Sequence, residues 1–164
     1  MDNERYEHRI IAQKTVFLLK MKGIPLEYGF NLYVRGPYSP LLADHYYAHS
    51  DDMKHFNTTE TLEATEKESV RQLLDLFGNK ASLLEIGATY SYLITTCHLS
   101  AIDAFRTVKS MKSFYSTEQI VRGVNKAKQY LFVASVEDKR VMDSELQMWQ
   151  RAGIKSLWSQ HAPE

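Results

Sequence analysis

Two histidines four residues apart, His45 and His49, would set both imidazoles on one helical face, a spacing that zinc sites use. Asp44, Asp51, Asp52 and His55 stand close by in sequence. The metalloprotease pattern, however, needs a glutamate directly after the first histidine, and Tyr46 occupies that place. The pair therefore reads as solvated surface histidines, and no metal is expected. Cys97-His98 brings a thiol beside an imidazole, but adjacent residues at a helix end do not turn their side chains toward each other. Cys97 reads as a buried structural cysteine. The chain has no P-loop, no Gly-x-Gly-x-x-Gly and no Gly-x-Ser-x-Gly. No carboxylates are paired within an apolar stretch in a way that would raise a pKa. The expectation is a protein that is not an enzyme and carries no cofactor.

One stretch is specified more tightly than any other, from Gly29 to Ala43. Phe30, Leu32 and Val34 alternate with Asn31, Tyr33 and Arg35, which is strand periodicity. Gly36-Pro37 reads as the break that ends the strand. Ser39 can cap a following helix, with Pro40 at its first position. Arg35, Tyr38 and a helix N-terminus are thereby aimed at one spot. Gly36, Pro37 and Ser39 form a turn that could hold an anion, such as a phosphate or a partner's carboxylate. The duller alternative is a turn that only shapes the fold, with Tyr38 packed on the first helix. Tyr28, Tyr33, Tyr38, Tyr46 and Tyr47 cluster around this stretch, and aromatics beside an arginine are the composition of a binding surface. Tyr33 and Arg35 are the expected contact residues.

The remaining chain must position that turn. Residues 3 to 22 read as a helix with Tyr6, Ile10, Phe17 and Met21 along one stripe, ended by Gly23 and Pro25. Lys14 falls on its buried face. It either snorkels to water or acts as a structural tether, bonding a carbonyl or a carboxylate near the strand end, with Glu27 and Asp44 as candidates. A second helix runs from about Pro40 to Ala48, closed by Ser50-Asp51-Asp52, and residues 53 to 58 connect it to a third from about Glu60 to Phe77. Leu62, Val70, Leu73, Leu74 and Phe77 would form the buried face of the third helix. A fourth begins near Ser82, in a capping-box pattern with Glu85, and is apolar nearly all round, which places it at the centre of the core. A fifth opens at Ser100 and ends near Lys112. A sixth opens at Ser116 and runs to about Leu131. A last helix spans about Asp143 to Trp158. The fold expected is mainly α: a compact bundle of six or seven helices with one short extended segment or wing after the first helix.

A resemblance rests on these residues. Gln13-Lys14, Val16-Phe17-Leu18-Leu19, the Gly23 stop and Tyr33-x-x-Gly36-Pro37-Tyr38-Ser39-Pro40-x-Leu42 resemble the opening of the small bacterial YwgA-like proteins. More distantly, they are similar to the Panacea (SocA-like) antitoxin domain. Leu84-Glu85-x-x-Ala88-Thr89-x-x-Tyr92-Leu93, Ala104-x-x-x-Val108-Lys109 and Phe114-Tyr115-Ser116-x-x-Gln119-Ile120 follow the same order of helices. The resemblance covers residues 8 to 131. Val34-Arg35 departs from it, since many relatives pass straight from an aromatic residue into Gly-Pro. It implies a helical domain over 1–131 that binds and neutralises a protein partner, toxin-like or host, or presents it to a protease. Such proteins belong to toxin–antitoxin, prophage or defence loci. Residues 132–164 have no counterpart and read as a C-terminal helical appendage. Both tryptophans, Trp149 and Trp158, lie there as further partner-binding candidates, and a homodimer through that helix is an open option.

Composition narrows the remaining readings. Twenty basic residues balance twenty acidic ones, whereas a dedicated duplex binder carries a basic excess. A winged-helix-like nucleic-acid binder would have to work through a local patch: Arg106, Lys109, Lys112, Arg122, Lys126 and Lys128 on the fifth and sixth helices. A small hydrolase or ligand-sensing domain is a third reading. One cysteine excludes an internal disulfide framework. No signal peptide and no membrane span can be read, so a cytoplasmic protein is expected.

Overall fold

The computed structural model of the chain describes residues 3–49 and 61–131, together with Arg140, Ser144 and Gln147. Contacts divide the chain into two units, Met1–Phe132 and Val133–Glu164, and the first is the one described below. The expected last helix, Trp149, Trp158, His55 and the Ser50-Asp51-Asp52 closure lie outside the described residues, and the third helix starts at Ala64 rather than near Glu60 because Glu63 caps it.

The domain is mainly helical. In order it runs α1 (Asn3–Met21), β1 (Asn31–Tyr33), β2 (Gly36–Tyr38), α2 (Pro40–Ala48), α3 (Ala64–Phe77), α4 (Ala81–Thr95), α5 (Ala101–Met111) and α6 (Thr117–Leu131). Among the described residues, no helix is long and apolar enough to cross a membrane.

The extended segment does pair with a second strand, but not as the alternation suggested. Gly36-Pro37 does not break the strand; it opens β2, which pairs antiparallel with β1 in the register Asn31 to Tyr38 and Tyr33 to Gly36. The bend falls one step earlier, at Val34-Arg35. Gly36 makes this possible by taking φ 85°, a left-handed conformation that costs glycine little. Because Val34 sits in the bend, it leaves the apolar side of the strand and is 79% exposed, while Phe30 and Leu32 pack against the core.

Local capping chemistry sets most helix starts. The Ser39 hydroxyl accepts from the Leu42 amide at 3.3 Å with Pro40 at the first position. Ser100 accepts from the Asp103 amide, and Ser116 and Gln119 cap each other reciprocally. A capping box on α3 joins Glu63 and Glu66. The expected box of Ser82 with Glu85 does not form: Lys80 is the cap position of α4, and the Glu85 side chain turns inward.

At the centre lies α4, buried from Leu83 through Ser91, which packs against α1, α5, α6 and the hairpin. Its hydroxyls bond back within the helix: Thr89 to the Glu85 carbonyl at 2.7 Å and Ser91 to the Gly87 carbonyl at 2.8 Å. On α3, Leu73 and Phe77 are buried as expected, whereas Leu74 is about half exposed, as is Leu62, which precedes the helix.

Candidate ligand cavity and hairpin surface

The Gly-Pro-Tyr-Ser-Pro turn is held from α1. Gln13 makes a reciprocal pair with the Ser39 backbone, its Nε2 donating to the carbonyl at 2.9 Å and its Oε1 accepting from the amide at 2.8 Å. Lys14, only 2% exposed, donates its ammonium to the Pro37 carbonyl at 2.7 Å. Gly36, Pro37 and Ser39 are all buried. The backbone groups named here are thus occupied from within the molecule, and the groups free to meet a ligand are the side chains around the turn.

Beneath the hairpin lies a buried charge cluster. Glu85 on α4, 1% exposed, receives the Lys112 ammonium at 2.7 Å. Arg35 approaches the same carboxylate at 3.4 Å and the Tyr115 hydroxyl donates to it at 3.3 Å. Lys112, fully buried at the end of α5, also donates to the Val34 carbonyl at 2.6 Å, so it ties the hairpin bend to α4. Lys14, Arg35 and Lys112 are three cations gathered about one carboxylate. Burial lowers the Lys14 pKa to about 8; Glu85 opposes this, while Lys112 and Arg35 add to it. Burial also lowers Lys112 against the pull of Glu85. The Tyr115 hydroxyl is pushed up to about 12, first by burial and then by the Glu85 charge.

Beside the cluster opens a cavity of about 210 Å³. One face of α1 supplies Tyr6, Arg9, Ile10, Gln13 and Lys14, positions that recur at helical spacing. The hairpin supplies Arg35 and Tyr38, and α2 supplies Tyr46 and Tyr47. Arg9 hydrogen-bonds the Tyr47 hydroxyl and lies over its ring, 5.6 Å from the centroid. The Tyr46 and Tyr47 rings tilt against each other at 5.0 Å. Burial raises the Tyr38 pKa, and the neighbouring Tyr46 and Tyr47 raise it further.

Outside the cavity, the hairpin bend carries an exposed surface. Arg35 lies over the Phe114 ring, 4.9 Å from its centroid. Phe114 is 56% exposed and Tyr33 is 51% exposed; the Tyr33 ring meets Tyr38 edge-on at 5.5 Å. Tyr33, Arg35 and Tyr38 thus stand together, with Arg35 shared between the bend and the cavity.

Other expected residues are placed apart from this site. His45 and His49 are exposed, and the Tyr28 hydroxyl lies 3.1 Å from His45 Nδ1. Among the described residues, no group of three His, Cys, Asp or Glu is arranged to hold a metal ion. Cys97 is exposed rather than buried, because it lies past the end of α4 where the chain leaves the core. Five of the six basic residues of the set on α5 and α6 have partners within the domain. Lys112 is buried, Arg106 pairs with Asp103, Arg122 pairs with Glu118, Lys126 bonds the Leu76 carbonyl, and Lys128 covers the Tyr90 ring.

Glu85 and Lys112 were missed as a pair. The signal available was Glu85 itself: a carboxylate inside Leu83-Leu84-Glu85-Ile86, on a helix apolar all round, has no route to water and demands a cation. Comparison of the chain with family models, curated proteins and solved structures returns no match.

Proposed function

We propose that this is a non-enzymatic interaction protein of the antitoxin type, acting in the cytoplasm. It binds a partner protein and either neutralises it or presents it for proteolysis. One observation supports the reading: Arg35, Tyr33, Val34 and Phe114 form an exposed cluster at the hairpin bend, and the buried Glu85 holds Arg35 in place. Arginine and tyrosine lead the residues that carry binding energy at protein interfaces, above all where they are held rigid. Val34, at 79% exposed, is an apolar side chain with nothing in the domain to cover it, and a partner would.

The test is Arg35→Ala, compared with wild type in capture of the native partner from the source cell. The fold is expected to hold, with a stability loss of about 1 kcal/mol or less for a half-exposed pair. Partner affinity is expected to drop by roughly thirtyfold or more, the effect of losing about 2 kcal/mol at an interface. Binding should survive a rise from about 0.1 M to about 1 M salt, since apolar and aromatic anchors are not screened. A folded Arg35→Ala that captures the same partner with unchanged affinity overturns the assignment. A steep loss with salt would point instead to phosphate contacts and the nucleic-acid reading.

A further inference from the structure

The hairpin has an inner and an outer edge, and the two are treated differently. β2 is the inner strand, packed on α1 and α4. Pro37 stands opposite Leu32 in the ladder, and a proline has no N–H to give a partner strand. Its carbonyl points away from β1, where Lys14 takes it at 2.7 Å. Two residues on, the Ser39 amide and carbonyl are both taken by Gln13. Two buried side chains of α1 thus seal the inner edge.

Antiparallel ladders alternate, so a residue opposite Pro37 turns its own N–H and carbonyl to the other side. Leu32 therefore aims both groups outward from β1. Among the described residues, no backbone or side-chain group bonds them, and none bonds those of Phe30, two residues earlier. We propose that this outer edge of β1 is a docking site for an extended segment of a partner polypeptide, which adds to the hairpin as a third strand.

Main-chain chemistry argues for the occupant. N–H and carbonyl groups repeating at alternate residues are matched by the backbone of another strand, whereas a small ligand meets only one such group at a time. Edges that must stay unpaired carry charged side chains or proline, and Phe30-Asn31-Leu32-Tyr33 has neither. The edge is also held still. Lys112 bonds the Val34 carbonyl at 2.6 Å beyond one end of β1, and Lys20 bonds the Tyr28 carbonyl at 2.6 Å before the other. A strand fixed at both ends spares an incoming chain the cost of ordering it.

The pleat gives the segment its pattern. Residues beside Leu32 and Phe30 lie on the side that packs against the core, and are apolar. The residues between them stand beside Asn31 and Tyr33, both exposed, where polar or aromatic side chains fit. A segment continuing past Leu32 reaches Val34, which is 79% exposed. The proposal deepens the interaction reading above and rests on it, since it states what kind of segment the partner brings.

The experiment uses the full chain and heptapeptides selected on it from a random phage-displayed library. In the chain alone, the Leu32 and Phe30 amides should exchange hydrogen faster than those of Asn31 and Tyr33, which face β2. The selected peptide should slow Leu32 and Phe30 by about tenfold or more. N-methylation along the peptide should cost about tenfold in affinity at alternate residues and little between them, because every second N–H faces β1. Leu32→Pro removes the outward N–H and spares the ladder to β2, so it should bind about tenfold more weakly than Leu32→Ala. The proposal is overturned if the selected peptides leave Leu32 unprotected, if N-methylation shows no alternation, or if a folded Leu32→Pro binds like Leu32→Ala. The peptide scan decides the matter even where Leu32→Pro does not fold. Leu32 already protected in the chain alone overturns it too: protection lost on dilution gives the edge to a second copy, and protection kept gives it to the chain itself. Arg35→Ala leaves the edge unaltered, so the two readings fail separately. Partner capture that depends on Arg35, with an edge that takes no strand, refutes this proposal alone.

Discussion

Two faces of α4 are held by opposite means. Toward α6 the contact is apolar and close. Toward the hairpin, buried polar groups add to the apolar packing of α1 and α5: Glu85 meets Lys112 and Arg35, while Lys14 and Gln13 bond the backbone of Pro37 and Ser39 from α1. The apolar face relies on two glycines. A Cβ on Gly123 would lie 2.6 Å from Ile86 Cγ2, and one on Gly87 would lie 2.7 Å from the Phe77 ring. Close packing of this kind is indifferent to pH and salt. The polar face is bound by charges that titrate, and it is the face that supports the cavity and the bend. The part of the core that holds the candidate site is thus the part that responds to solution conditions.

The comparison is broken most severely at Glu85. Glu85→Gln keeps the shape and removes the one carboxylate that, among the described residues, pairs with Arg35 and Lys112. Leaving a buried ammonium without its partner costs about 3–5 kcal/mol. Chemical denaturation should show that loss in the midpoint, with little change in slope. A Glu85→Gln protein as stable as wild type would mean that the cluster contributes nothing net to the fold.

Next in size is the apolar face. Gly123→Ala forces a methyl into Ile86 and should cost about 1–3 kcal/mol by overpacking. The loss should be the same across pH, in contrast with any change on the polar face. Gly29→Ala is the control, because nothing lies within 4 Å of the added carbon. If both alanine variants melt alike, the α4–α6 approach has room for the methyl and the glycine is not required there.

The same division explains what could be read from the sequence. The helices, the order of elements and the caps at Ser39, Ser100 and Ser116 were legible, because each depends on residues three or four positions apart. The central place of α4 was legible too, from its apolar circumference. Glu85 was not. Ser82-x-x-Glu85 satisfies the local capping pattern, and nothing within one turn distinguishes that use from a bond to Lys112, 27 residues away. Arg35 and Tyr38 stood out as polar residues at a turn. Tyr6 was legible only as part of the apolar stripe of α1, and Arg9 not at all, since only the return of α2 places Tyr46 and Tyr47 opposite them. Side-chain pairing across helices is a property of the tertiary fold, and periodicity carries no record of it.

Lys14 sharpens the comparison with the smallest effect and the most specific signature. Lys14→Met changes two contributions of opposite sign. It deprives the buried Pro37 carbonyl of its donor, a loss of about 1–3 kcal/mol. It also removes a charge whose burial is unfavourable: the drop in pKa from 10.5 to about 8 corresponds to roughly 3 kcal/mol against the charged form. Near pH 7 these largely offset, and the variant should lie within about 1 kcal/mol of wild type. As pH rises from about 8 to 10.5 the balance moves. Over that range the folded protein binds fewer protons at Lys14 than the unfolded chain does, so wild-type stability rises with pH. Methionine does not titrate and has no such rise. Above pH 10 the hydroxyls of Tyr115 and Tyr130, both pushed up to about 12, reverse the slope in wild type and variant alike, because the folded state then holds protons that the unfolded chain releases. The deficit of Lys14→Met should therefore widen between pH 8 and 10 and stay constant beyond. Thermal unfolding of both proteins across that range is the measurement. A variant that melts at or above wild type at about pH 10 would mean that the Pro37 carbonyl does not need the amine.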